Sequence, residues 1–271
     1  MTPISFSWPR GKAAALTSSW DDGTIHDRKL VSILNRWGLK GTWNLNSGTL
    51  GLTAAQSGWQ DYIDASEVKD LYAGHEVACH TVNHPLLHRL PRERIFSEVI
   101  EDRRNLERLV GYPVRGMALP FAHSCAPWVT TQLQAAGILY LRAITEKPSF
   151  DPPGDFFAWA VTCHHKANWV KLWQKFQSRP QPDKVFFLWG HSYEFEADNN
   201  WDLIETFARH VSIEGAVWHA TNMEIYEYVT AWRNLQCGVE MTCAKNSSGL
   251  TLWFRIGDRL RTIEPGEVVA L

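Results

Sequence analysis

Short apolar runs rich in β-branched and aromatic residues alternate along the chain with longer segments whose apolar positions recur at helical spacing. That is the pattern of parallel strands joined by crossover helices. Strands are predicted at 13–19, 41–45, 76–79, 114–119, 138–143, 156–162, 185–189 and 216–219, and helices at 27–37, 66–73, 91–110, 126–136, 168–176, 200–210 and 222–234. The helix at 91–110 has the plainest signals: Pro91 opens it, Gly111 ends it, and Ile95, Val99, Leu106, Leu109 and Val110 roughly trace one face. From about Leu235 the pattern changes to short alternation at 238–243, 250–256 and 268–271, broken by turns at Asn246-Ser-Ser-Gly249 and Pro265-Gly266. The expectation is an α/β barrel over residues 1–234 with a small antiparallel β appendage packed on it at 235–271.

Composition narrows the function classes. The 271 residues (31.0 kDa) bury a sizeable core, and 45% hydrophobic with 21% charged residues excludes a disordered or fibrous chain. A net charge of −2 gives no basic field for a phosphate backbone, so nucleic acid is not an expected partner. The 14 Trp exceed what a core needs, a weak pointer to a ligand with flat apolar faces, since Trp is also core filler. Five cysteines, at 79, 125, 163, 237 and 243, form no CxxC or regular framework and read as reduced thiols. The first twenty residues show no basic start followed by an apolar run, and no stretch of about 18 apolar residues occurs. No membrane partner is therefore expected, and the expected location is cytoplasmic. Asn246-Ser-Ser fits a glycosylation acceptor but reads better as a turn.

In such barrels chemistry sits on the loops at the C-terminal ends of the strands. The first strand ends in Asp21-Asp22-Gly23, the third in HTVNH (His80 to His84), the fourth in ALPFA (118–122), and the strand near 185 in LWGH (188–191). Each piece alone is cheap: a solvated turn accounts for the aspartates and a helix N-terminal cluster for the histidines. Together, in this order, they point to one site. Two imidazoles four residues apart on one face of a helical turn, with a carboxylate from another strand, suit a mononuclear metal with positions left for water. Of two adjacent carboxylates, one can bind the ion while the other takes a proton from the water that the ion acidifies.

These motifs resemble those of the NodB-homology polysaccharide deacetylases, carbohydrate esterase family four, over about residues 13–232. The resemblance implies a distorted (β/α) barrel of seven or eight strands. SWDDG at 19–23 resembles the family's TFDDG, which implies Asp21 as general base and Asp22 as metal ligand. HTVNH resembles the HxxxH metal motif, implying His80 and His84, and LWGH resembles the late motif whose histidine is the general acid, implying His191. The family's fourth segment carries an arginine that holds the base aspartate, where this chain has Ala118. Arg115, three residues earlier, either supplies that guanidinium or forms a surface ion pair. For the group that orients His191, the candidates are Asp155 with Trp159, or His164-His165. His88 reads as a polar surface residue because Pro85 bends the chain, and His123 is placed at the cleft.

The expected activity is metal-dependent removal of acetyl from an N-acetylated sugar or polysaccharide. A divalent ion, best matched by Zn2+, would be held by Asp22, His80 and His84, with Phe121, Leu188 and Trp189 cupping the acetyl methyl group. A backbone N–H near Phe121 would share the oxyanion with the ion. Two alternatives stay open: an amide hydrolase of allantoinase or imidase type acting on a small non-sugar compound, and a non-catalytic sugar binder, suggested by the missing arginine at 118. Carbohydrate is the expected partner; oligomeric state is not legible in the sequence.

Overall fold

The structure, a computed structural model, describes residues 4–147 and 149–271. In chain order the first strands are β1 (Ile4–Ser7), β2 (Ala14–Asp21), β3 (Thr42–Leu45), β4 (Glu76–Cys79), β5 (Gly116–Ala118), β6 (Tyr140–Glu146), β7 (Trp159–Val161), β8 (Cys163–His164), β9 (Val185–His191) and β10 (Val217–His219). Strands β2 to β10 form one parallel nine-stranded sheet in the order β7-β6-β5-β4-β3-β2-β9-β8, with β10 on β2. Strand β10 pairs with Ala14 to Leu16 and β3 with Ser19 to Asp21, so the two share one edge of β2 end to end. The sheet closes through Thr162, which joins β7, on β6, directly to β8, on β9: Thr162 N donates to Phe187 O at 2.8 Å. The result is the expected distorted (β/α) barrel.

The alternation of each strand sorts its side chains between two environments. Leu16 and Trp20 of β2, Trp43 and Leu45 of β3, and Phe186 and Leu188 of β9 pack in the core under the helices. The alternate residues Thr17, Ser19, Asp21 and Asn44 hydrogen-bond within the barrel. Near the N-terminal end of the sheet, buried Glu76 accepts from Tyr140 Oη (2.7 Å), Thr42 Oγ1 (2.9 Å) and Met223 N (2.8 Å), which ties the barrel to the start of the helix Asn222–Arg233. Burial pushes the Glu76 carboxyl up to about 7, and the three donors oppose that push.

The C-terminal strands are β11 (Gln236–Cys237), β12 (Cys243–Lys245), β13 (Leu252–Ile256), β14 (Arg259–Ile263) and β15 (Val268–Ala270). They form two antiparallel sheets, β1-β13-β14 and β11-β12-β15, so the chain's opening strand pairs with its closing segment. Tyr228 Oη links them to the barrel helix, donating to Ser7 O at 2.8 Å and accepting from Trp253 N at 2.9 Å.

Several local expectations change. Residues 156–158 form a 3-10 turn capped by Asp155 rather than strand. Most of 238–243 is the turn between β11 and β12, where Gly238 N donates to Cys243 O at 2.9 Å. Strands β1 and β14 and the helix Ser192–Ala197 were not predicted, each being too short to show a period. Asn246 is fully buried and its amide donates to Leu250 O and Ile263 O at 2.7 and 3.0 Å, in keeping with the turn reading. Six of the 14 indoles are buried in the core, Trp8, Trp20, Trp43 and Trp173 fully, and six more are partly buried against it. Among the described residues all five cysteines are free, and no helix is long and apolar enough to cross a membrane.

One close approach depends on glycine. A Cβ at Gly116 would lie 2.2 Å from Tyr140 Oη, the hydroxyl that serves Glu76. Gly116→Ala should therefore lower the unfolding free energy by about 1–3 kcal/mol, as overpacking of a dense interior does. Urea denaturation reads the effect, and wild-type stability would show that the interior yields there.

Candidate metal centre and active site

The first two site residues sit where β2 stops. Asp21 ends the strand facing the interior, and Asp22 has φ 81, a left-handed conformation unusual outside glycine. With Asp22 N donating to Asn44 O at 3.0 Å, this turn swings the second carboxylate onto the same cavity as the first. His80 follows β4. The segment from His80 to His84 is a loop, not the helical turn expected from the spacing, because Thr81 and His84 take φ 68 and 55. Asn46 Nδ2 donates to His80 O and Thr81 O, and Thr81 Oγ1 accepts from His84 N at 3.0 Å. Beneath it, buried Asp102 accepts from His80 N (3.1 Å) and Ser47 N (2.9 Å).

Asp22, His80 and His84 offer one compact donor set. His80 Nδ1 is satisfied by Ala118 O at 2.9 Å, so its Nε2 is the free lone pair; it faces His84 Nε2 at 3.0 Å, and both lie 3.6 Å from Asp22 Oδ1. Burial pushes both imidazoles down to about 4. In the tautomer that leaves both Nε2 lone pairs free, two neutral ring nitrogens and a carboxylate oxygen converge on one point, so the residues fit a divalent ion.

Asp21 lies beside that set, its Oδ2 3.9 Å from His80 Nε2, but its carboxylate is engaged elsewhere. The fully buried Arg142, on β6, places Nη2 on both Asp21 oxygens, and Asn44 Nδ2 adds a bond to Oδ1 at 2.8 Å. Burial pushes the Asp21 carboxyl up, but Arg142, with His80 and His191 nearby, brings it down to about 2. Burial and the neighbouring Asp21 charge instead raise Asp22, a tension that a cation on its oxygen relieves. It is Arg142, not Arg115, whose guanidinium reaches Asp21. Arg115 precedes β5, at the opposite end of the strand from the site, and its Nε donates to Gly137 O at 2.9 Å. The available signal was a lone cation within the apolar run 138–143, where a buried charge requires a counter-charge.

His191, the last residue of β9, turns Nε2 toward the aspartates, 3.9 Å from Asp21 Oδ2 and 3.8 Å from Asp22 Oδ2. Its Nδ1 lies 3.0 Å from Glu194 Oε2, a residue missed in the sequence although only three positions ahead. Glu194 also meets His164 Nε2 at 3.0 Å and Lys166 Nζ at 3.1 Å. Burial opposes ionisation of Glu194, but hydrogen bonds from His164 and His191 hold it well below the usual carboxylate range. Burial likewise disfavours charged His191, while Glu194 and the two aspartates raise it above an ordinary histidine. Asp155 is not the orienting group, since its side chain caps Phe157 N at 2.8 Å.

The site floors a cavity of about 400 Å3. Phe121, 62% exposed, stands edge-on to His84 with ring centroids 4.2 Å apart, and Trp189 lines the wall under the Arg142 guanidinium, 5.0 Å away. Leu188 does not reach the cavity: alternation along β9 turns it into the core under the helices, and Leu119 and Ile144 line the wall instead. His88 and His123 are exposed, and neither lines the cavity.

Residues 9–139 match the model of the polysaccharide deacetylase family, and the resemblance to NodB-homology deacetylases read from the motifs holds. That match ends before Arg142, His191 and Glu194. Among solved structures, a Mycobacterium smegmatis protein assigned to the polysaccharide deacetylases is 17% identical, covering 84% of this chain and 93% of its own, with a TM-score of 0.61. The Xyl-CE4 domain of a multidomain xylanase from the hindgut metagenome of Trinervitermes trinervoides is 15% identical (81% and 92% covered, TM-score 0.53). The Bc1960 peptidoglycan N-acetylglucosamine deacetylase is 16% identical (81% and 91% covered, TM-score 0.52). At these identities the likeness is one of fold. No curated protein matches the chain.

The donor geometry yields a direct test. Purified protein dialysed against zinc should carry about one equivalent by elemental analysis, lost in His80→Ala and retained in Asp21→Asn. Equal metal in His80→Ala, or loss in Asp21→Asn, would contradict the division between the two carboxylates.

Proposed function

We propose that this chain is a metal-dependent hydrolase that removes acetyl from an N-acetylated sugar. The observation that carries the reading is the separation of two adjacent carboxylates, Asp21 onto Arg142 and Asp22 onto His80 and His84. Asp22, His80 and His84 would hold a divalent ion, zinc by their mixed N and O donors, which would supply the Lewis acidity to acidify a water and polarise the acetamide carbonyl.

The remaining work falls to the chain's own groups. Asp21, ionised and fixed by Arg142 and Asn44, accepts the proton of the attacking water. His191 directs Nδ1–H to Glu194, which fixes its orientation and leaves Nε2 to give a proton to the departing amine. Leu119, Ile144 and Trp189 form the apolar wall for the acetyl methyl. The case for a non-catalytic binder rested on Ala118, and Arg142 supplies the guanidinium that Ala118 lacks.

Acetate release from N-acetylated chitooligosaccharides should stop with chelator and return with zinc. Arg142→Ala should cut kcat by roughly a hundred-fold with zinc content kept, and Arg115→Ala should match wild type; an orienting group for a general base has effects of this order. Turnover of ureides with no acetate released from any sugar would replace this reading with that of a small-amide hydrolase.

A further inference from the structure

Beside the candidate catalytic centre lies a second group of metal-binding side chains, which the proposed reaction uses only in part. Glu194 Oε2 is shared by two imidazoles, His191 Nδ1 and His164 Nε2, each 3.0 Å away, and one donor atom from each of the three residues lies within 4.8 Å of the others. All three side chains keep part of their surface in water, so an ion can reach them. His165 adds an independent observation. It is fully buried, neither of its ring nitrogens has a hydrogen-bond partner, and its Nδ1 faces the same Glu194 oxygen at 3.8 Å. A buried ring nitrogen left unpaired is destabilising, so three imidazoles crowd one carboxylate oxygen beyond what hydrogen bonding satisfies. The chain makes room for this: a Cβ at Gly190 would lie 2.0 Å from His165 Nδ1, so glycine before His191 is what admits the ring.

Two other contacts limit how tightly an ion could be held. Lys166 Nζ sits on Glu194 Oε1 at 3.1 Å and on Asp198 Oδ2 at 2.7 Å, a cation that competes with any incoming ion. Lys166 N also donates to His164 Nδ1 at 3.3 Å, so His164 must surrender that bond and carry its proton on Nδ1 before Nε2 can offer a lone pair. Both costs make this a weak site, filled only by an ion in excess.

We propose that His164, His191 and Glu194 form a second, inhibitory site for zinc. An ion on His191 Nδ1 takes the place of the Glu194 hydrogen bond and leaves a neutral ring whose only proton is on Nε2. Such a ring cannot become the imidazolium that gives a proton to the departing amine. The inhibition, though not the binding, rests on the hydrolase reading above.

The test is calorimetric titration of zinc into the full chain already carrying one equivalent, with acetate release followed over the same zinc range. One further equivalent should bind, roughly a hundredfold or more weaker than the first, and activity should fall with the same midpoint. His164→Gln keeps a donor for Glu194 but has no ring nitrogen; it should weaken the second equivalent at least tenfold and move the inhibition to higher zinc by the same factor. Lys166→Ala removes the competing cation and should tighten the second equivalent. His88→Ala takes away an exposed histidine elsewhere and should titrate like the wild type. No second equivalent, or one lost in His88→Ala and kept in His164→Gln, overturns the site. The two readings fail separately. A His164-dependent second equivalent in a chain that releases no acetate would sink the hydrolase and leave the site, and acetate release undiminished at full second occupancy would keep the hydrolase and overturn the inhibition.

Discussion

A fully buried arginine is the constraint around which the site is arranged. Arg142 has no access to water, and among protein atoms its Nε and Nη1 have no hydrogen-bond partner. Asp21 is therefore its counter-charge, and removing one member of such a buried pair typically costs about 3–5 kcal/mol. The guanidinium keeps Asp21 ionised in a place where burial alone would protonate it, and its Nη2 meets both of the Asp21 oxygens. Asp22, one residue on, turns by its left-handed backbone toward His80 and His84. Two residues adjacent in sequence thus acquire different environments, which is what a base and a ligand require.

The scaffold holds these groups through backbone contacts more than through the side chains themselves. Asn44 and Asn46, on and just after β3, bind the ends of both neighbouring strands, Asn44 at Asp21 and Asn46 at the His80 loop. Asp102, from the helix Arg92–Val110, collects the N–H groups of His80 and Ser47. On the far side Asp27 accepts from Tyr72 Oη at 2.7 Å and from Ser192 Oγ, which anchors the residue after His191. Each candidate ligand or proton carrier is thus fixed from behind by a buried polar group, as a preorganised centre needs.

Much of this was legible in the sequence, for physical reasons. Barrel strands need long enough apolar runs to be buried on both faces, so all the strands of the sheet but the two-residue β8 showed themselves, and the motifs at their ends named Asp21, Asp22, His80, His84 and His191. Residues that act across the barrel were not legible. Arg142 reaches Asp21 from 121 positions away, and only the closure of the sheet brings them together. Arg115 looked suitable by proximity in sequence, but three residues along a strand span about 10 Å and carried it to the wrong end. Leu188 failed for a simpler reason: it neighbours Trp189, and strand alternation sends adjacent residues to opposite faces. The His80 to His84 spacing was useful although its assumed helix was not, since two left-handed residues bring the rings together as well as a helical turn would.

The most direct measurement is anomalous diffraction at the zinc edge from crystals of the full chain grown with zinc. The account predicts a single strong peak within bonding distance of Asp22, His80 and His84, about 2.0–2.2 Å from each donor, with Asp21 still on Arg142 and off the ion. An ion ligated by Asp21, or one seated instead among His164, His191 and Glu194, would contradict it.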